Sequence, residues 1–250
     1  MDTFAIIPAR FGSARLPGKP LLDLCGKPII QHVYERVREA GVFAAVLVAT
    51  DSERIFRCVE SFGGDAVMTS PDHRSGTERI AEVASALEAR WIVNVQGDEP
   101  FVHPEMLRDL CSAFREEDLA PMATLRYPIQ DESDLWNPHV VKVVVDESGY
   151  ALYFSRAAIP YRRTDPGAAE IDGSGSVWYK HVGIYAYRRD FLLRYPSLSV
   201  TPLEEAEKLE QLRALGHGHR IRVYTTKWET LGIDTEEDLL RAIDRCRRGS

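Results

Sequence analysis

The chain has no basic excess, no long apolar run and little cysteine. Its 31 Lys and Arg stand against 38 Asp and Glu, a formal net charge of −7 over 250 residues. Non-specific binding to nucleic acid needs a surplus of positive charge along a backbone footprint, so that class of partner is disfavoured. No apolar stretch approaches the ~20 residues that span a bilayer. The first residues enter a strand pattern without the charged and apolar regions of an export signal. A cytoplasmic protein with no membrane insertion is expected. Cys25, Cys58, Cys111 and Cys246 are widely scattered, with no CxxC pair, which disfavours a zinc site and leaves reduced thiols as the expectation. Internal repeats and low-complexity tracts are also missing. What is present, 44% hydrophobic and 28% charged residues, describes a soluble chain able to bury a sizeable core.

Short apolar runs alternate with helical patterns through the first half. Phe4–Ile7, Ala45–Ala49, Ala66–Met68 and Ile92–Val95 read as strands. Between them, Pro28–Ala40 places Ile29, Ile30, Val33 and Val37 on one helical face, and Thr77–Leu87 and Pro104–Phe114 are further helices. This alternation predicts an α/β fold with a mainly parallel sheet and helices on both faces. In the second half, Val140–Val145 and Tyr150–Phe154 flank a "DESG" hairpin turn, and Val182–Tyr187 is another strand. The expected organisation is one domain over 1–250 carrying a β-rich excursion at about 125–190. Pro202–Leu215 reads as one helix, Ile221–Thr225 as a strand and Thr235–Cys246 as a closing amphipathic helix.

Six stretches bear on the chemistry. In "AIIPARFGSARLPGKP", residues 5–20, a buried-strand pattern runs into a loop holding Arg10, Arg15 and Lys19. Five residues separate Gly12 from Gly18-Lys19 and Pro20 follows, so neither the spacing nor the hydroxyl of a Walker A motif is met. Such a loop still suits a polyphosphate, through its backbone N–H groups and fixed charges; the plainer reading is a solvated basic loop. "VNVQGDEPFV" places Asp98 just past a buried strand, where open α/β sheets bind ligands. A carboxylate there suits Mg²⁺, which takes one or two carboxylates together with phosphate oxygens; alone, "GDEP" reads sooner as a turn, and together with the basic loop it points to a metal. In "GIDTEEDL", Asp234 or Thr235 caps the last helix, and Asp234 is the candidate second carboxylate. "HRSGTER" enters a helix with Ser75 or Thr77 as cap, or with a nucleotide at its N-terminus. "KHVGIYAY" puts His181, Gly183, Tyr185 and Tyr187 on one strand face, either as core or as the lining of a sugar pocket. In "PLEEAEKLEQLR" most of the acids read as solvated surface.

As an ordered set, "IIPARFGSARLPGKPL", "ATD", "SGTER", "VNVQGDEP", "NPHVVKVVVDESGYALYFSRAAIP", "KHVGIYAYRRDFL", "PLEEAEKLEQLRAL" and "GIDTEEDL" resemble the 3-deoxy-D-manno-octulosonate (Kdo) cytidylyltransferases over nearly the whole chain. The resemblance implies an α/β fold like that of the nucleotide-diphospho-sugar transferases, a homodimer, CTP and a 3-deoxy-2-ulosonic acid as substrates, and Mg²⁺. It assigns Arg10, Ser13, Arg15 and Lys19 to the CTP phosphates, Ala9 to the neighbourhood of the base, and Ser75 and Gly76 to the nucleotide. Asp98 and Asp234 would hold magnesium, and with Arg15 and Lys19 they form the expected catalytic set. Gln96, Arg156, His181, Tyr185, Glu210 and Gln211 would line the sugar-acid pocket. Residues 161–179 and "KWETLG" before Asp234 depart from the family pattern. Two alternatives remain: the same chemistry on an amino-substituted or sialic-type acid, and a non-catalytic nucleotide-binding protein.

Overall fold

The computed structural model describes residues 2–12, 16–112, 120–163 and 177–248. Arg15 and Ser13, assigned above to the CTP phosphates, lie outside the described residues. In chain order the elements are β1 (Thr3–Ala9), the hairpin β2 (Asp23–Leu24) and β3 (Lys27–Pro28), α1 (Ile29–Glu39), β4 (Val46–Thr50), α2 (Glu53–Ser61), β5 (Asp65–Met68), α3 (Gly76–Ser85), β6 (Trp91–Asn94) and α4 (Pro104–Ser112). They continue as β7 (Met122–Pro128), α5 (Glu132–Trp136), β8 (Lys142–Val145), β9 (Ala151–Ser155), β10 (Tyr179–Arg188), α6 (Arg189–Arg194), α7 (Pro202–Glu207), α8 (Gln211–Gly216), β11 (Ile221–Thr225) and α9 (Glu236–Arg247).

The main sheet runs β11-β7-β10-β6-β1-β4-β5, with β8 and β9 branching from β10. Strands β6, β1, β4 and β5 are mutually parallel, as are β11 and β7. Only β10 runs against its neighbours in that row. The β-rich segment is therefore divided: β7 and β10 stand inside the main sheet, while the β8–β9 hairpin projects from it. Ala5, Ile6 and Ile7 are wholly buried, as a strand covered on both faces requires. Ile7 belongs to a core that also takes in Ile30 and Val33 of α1, Val59 of α2 and Met106 of α4. Ile6 belongs to the core on the other face, with Ile80 of α3, Phe191 of α6 and Leu212 of α8. A smaller core of Leu16, Leu24, Ile29, Ile233 and Ala242 seats α9 against the β2–β3 hairpin and the start of α1.

The expected helix over Pro202–Leu215 is broken in two. Lys208 adopts a left-handed conformation (φ 53°, ψ 47°) between α7 and α8. No Gly or Pro marks the break; side-chain contacts across it hold it. Glu204 on α7 takes Arg213 of α8 in a nearly buried bidentate pair, at 2.8 and 2.5 Å. Glu207 reaches away to accept bonds from the Ser155 hydroxyl (2.6 Å) and the Arg156 N–H (3.0 Å). The acids of this stretch are thus structural partners as well as surface.

Candidate active site

Parallel strands end at one edge, and there the sequence-distant candidates meet. A cleft of about 350 Å³ is lined by Ala9 and Arg10 after β1, Lys19, Ser75 and Gly76 at the start of α3, Gln96 and Asp98 after β6, Glu210 and Asp234. Gly97 is what lets the end of β6 approach β1 so closely: a Cβ there would stand 2.9 Å from the Pro8 carbonyl oxygen, a backbone atom that cannot swing aside. Ser75 caps α3, accepting a bond from the Glu78 N–H at 3.2 Å. The free N–H groups and positive dipole end of this ten-residue helix therefore face the cleft.

The Lys19 ammonium lies between two carboxylates, 2.5 Å from Asp98 Oδ2 and 3.0 Å from Asp234 Oδ1. Burial opposes its charge, but Asp98 and then Asp234 outweigh that effect and raise its pKa. Lys19 is therefore a fixed cation at neutral pH. Asp234 reaches this point because the Ile233 N–H donates to the Asp98 carbonyl at 2.9 Å while Ile233 itself is buried in the small core. The capping alternative resolves in favour of the neighbour. Thr235 accepts from the Asp238 N–H and the Asp238 carboxylate accepts from the Thr235 N–H, a reciprocal capping box. The Asp234 side chain is left to face Lys19.

Beyond the cleft the aromatic face of β10 continues the wall. His181 is 5.3 Å from Tyr185, and Tyr185 is 5.9 Å from Tyr187, between ring centroids. Tyr187 lies near Thr77, and the Thr77 hydroxyl donates to Glu210 at 2.7 Å. Burial pushes the His181 imidazole down to about 3, and its Nε2 lies 3.0 Å from the Thr124 hydroxyl. The ring is a neutral hydrogen-bonding group. Arg156 is turned to structural use, its guanidinium donating to the Glu207 carbonyl (2.7 Å) and the Pro138 carbonyl (2.9 Å). Gln211 is buried at the start of α8. Arg156, His181, Tyr185 and Gln211 stand outside the lining of the cleft that holds the other candidates.

Sequence reasoning passed over three contributors. Arg74 and Arg79 add positive charge to the cleft, and Arg79 is nearly buried, held by Asp51 of the "ATD" stretch at 2.7 Å. Glu99, beside Asp98, is raised to about 8 by burial and then by the Asp98 charge. Its signal was present in "GDEP", but only the approach of the 228–233 loop, where a Cβ on Gly232 would lie 3.1 Å from Glu99 Oε1, buries it.

The fold first defines a class. A solved structure of a putative glucose-1-phosphate thymidylyltransferase from Bacillus anthracis (TM-score 0.69, 15% identity, 99% of this chain and 96% of that one) shares the architecture alone. The cytidylyltransferase family model matches residues 4–221. The 3-deoxy-manno-octulosonate cytidylyltransferases of Geobacter sulfurreducens and Idiomarina loihiensis are 49% and 52% identical, over 99% and 97% of this chain and 100% and 97% of theirs. A structure of CMP:2-keto-3-deoxy-manno-octonic acid synthetase complexed with CTP superimposes with a TM-score of 0.91 at 43% identity, each chain covered completely. The chain belongs to the cytidylyltransferase family.

Proposed function

We propose that this chain transfers CMP from CTP to the anomeric hydroxyl of 3-deoxy-D-manno-octulosonate, giving CMP-Kdo and pyrophosphate. The observation that carries the reading is the meeting of Asp98, Lys19 and Asp234 at the carboxyl edge of the sheet, beside the N-terminus of α3. The full-length relatives name the same nucleotide and sugar acid. The sugar hydroxyl attacks the α-phosphorus in line and pyrophosphate leaves, so the protein's work is positioning and charge neutralisation. Lys19, Arg10 and Arg74, with Arg15 from the same basic loop, neutralise the triphosphate and the departing pyrophosphate. The α3 N-terminus, with Ser75 and Gly76, offers backbone N–H groups to phosphate oxygens. Gln96, Glu210 and the β10 face with His181 and Tyr185 hold the sugar acid, supported by Arg156 and Gln211.

Asp98 and Asp234 fit a divalent cation. Both carboxylates lie within bonding distance of one ammonium, so one small cation can be shared between them. Among the described residues no group of three or more His, Cys, Asp or Glu assembles as a metal cage; two hard oxygens plus substrate phosphates are the donor set of Mg²⁺. Bound there, Mg²⁺ would supply charge stabilisation of the phosphates. The working unit on this reading is a cytoplasmic homodimer with the whole chain acting as one catalytic domain. No described helix is long and apolar enough to cross a membrane.

The test is pyrophosphate release from CTP with Mg²⁺ and a panel of acceptors: Kdo, an amino-substituted ulosonic acid and a sialic acid. The expected result is the highest kcat/KM with Kdo. Greater kcat/KM with another acid would replace the acceptor, and no release with any acid would leave a nucleotide-binding protein.

A further inference from the structure

Two of the four scattered cysteines are brought together by the fold. Cys25 lies in the two-residue loop of the β2–β3 hairpin, where Asp23 pairs Pro28 and Leu24 pairs Lys27. Cys25 and Gly26 both have positive φ, 53° and 88°, which defines a type I′ turn whose favoured first residue is Asn, Asp or Gly. A cysteine is an uncommon occupant of a left-handed position, and an outlier of this kind points to a role for the side chain. Its Sγ lies 3.9 Å from the Ile243 carbonyl of α9, one turn before Cys246. Cys246 packs into the small core under the hairpin, close enough for Cys25 to act on its thiol, although the two are 221 positions apart in the chain. Cys25 is exposed, and Cys246 is half-buried against the small core.

We propose that Cys25 and Cys246 form a dithiol site that a low-molecular-weight disulfide oxidises to an intramolecular disulfide, fastening α9 to the β2–β3 hairpin. The exposed Cys25, as thiolate, attacks the small disulfide RSSR, forming a mixed disulfide and releasing RS⁻. Cys246 then gives up its proton, attacks the Cys25 sulfur and expels a second RS⁻. The two protein thiols lose two electrons and two protons, and RSSR becomes two RSH. Burial, and next the neighbouring Cys25 thiol, push Cys246 up to about 11, which suits it to the second step rather than the first. The clamp falls on a lightly buried helix. Ala242 is the only fully buried residue of α9, yet this helix directly follows Asp234.

The experiment treats the native chain with glutathione disulfide, then maps tryptic peptides without reduction and melts the oxidised and reduced forms. The expected result is one cross-link joining the Cys25 and Cys246 peptides and a melting temperature raised by about 5 °C or more, reversed by dithiothreitol. Cys25→Ser and Cys246→Ala should each abolish both effects. A glutathione adduct that persists on Cys25 would overturn the proposal. So would a cross-link through Cys58 or Cys111, or an unchanged melting temperature in the cross-linked form.

Discussion

Replacing Asp234 with asparagine separates the chemistry of the site from the stability of the fold. The substitution keeps size and hydrogen-bonding shape and removes one negative charge. Thr235, with Asp238, caps α9, so the helix end is untouched. The ion pair lost is at 3.0 Å with an Asp234 side chain 51% exposed, a geometry worth about 0–1 kcal/mol after solvent screening. Lys19 keeps Asp98 at 2.5 Å. The melting temperature should therefore fall by about 3 °C at most. Activity is another matter, since one of two hard anionic ligands is gone: kcat should drop by roughly 10²–10³, the loss typical of one charge-stabilising group. Half-maximal rate should also require more Mg²⁺. The assay is pyrophosphate release titrated with Mg²⁺, beside a ligand-free thermal melt. Wild-type turnover at low Mg²⁺ would refute the shared-cation reasoning and return Asp234 to an incidental partner of Lys19. A collapse of the melt would instead show that the pair holds the fold.

Three further outcomes follow from the same geometry. Gly97→Ala, forced against the Pro8 carbonyl at 2.9 Å, should cost about 1–3 kcal/mol of stability and lower kcat by displacing Asp98, as denaturant midpoints and turnover will report. His181 is depressed to about 3 in the folded chain and titrates near 6.5 unfolded; the unfolded state gains the proton first, so its contribution is present above pH 6.5 and is lost as pH falls from there towards 3. His181→Asn should flatten the stability profile in that window, and an identical slope in mutant and wild type would contradict the assignment. Glu204→Gln leaves Arg213 without its nearly buried bidentate partner and should cost about 3–5 kcal/mol, read as a melting temperature lowered by about 6 °C or more.

Where short-range chemistry decides, the amino-acid sequence was sufficient. The β-branched runs of β1, β4 and β6 and the apolar stripe of α1 are local patterns, and their alternation leads to a parallel sheet without further information. The same holds for the basic loop ending in Lys19, because glycine and arginine spacing is visible along the chain. Periodicity is also present in Glu53–Ser61, with Ile55 and Val59 buried. The break at Lys208 has no local mark at all. It exists because Glu204 and Arg213 pair across it and Glu207 is drawn to β9, contacts that only the packed chain creates. Asp98 and Asp234 are 136 positions apart; their meeting depends on the Ile233–Asp98 backbone bond and on the small core under α9. Cys25 and Cys246 read as unrelated thiols for the same reason. Sequence determines which groups are available and which elements carry them. Long-range burial and hydrogen bonding, which pattern along one strand or helix does not encode, decide which of those groups share a site and what charge each one keeps there.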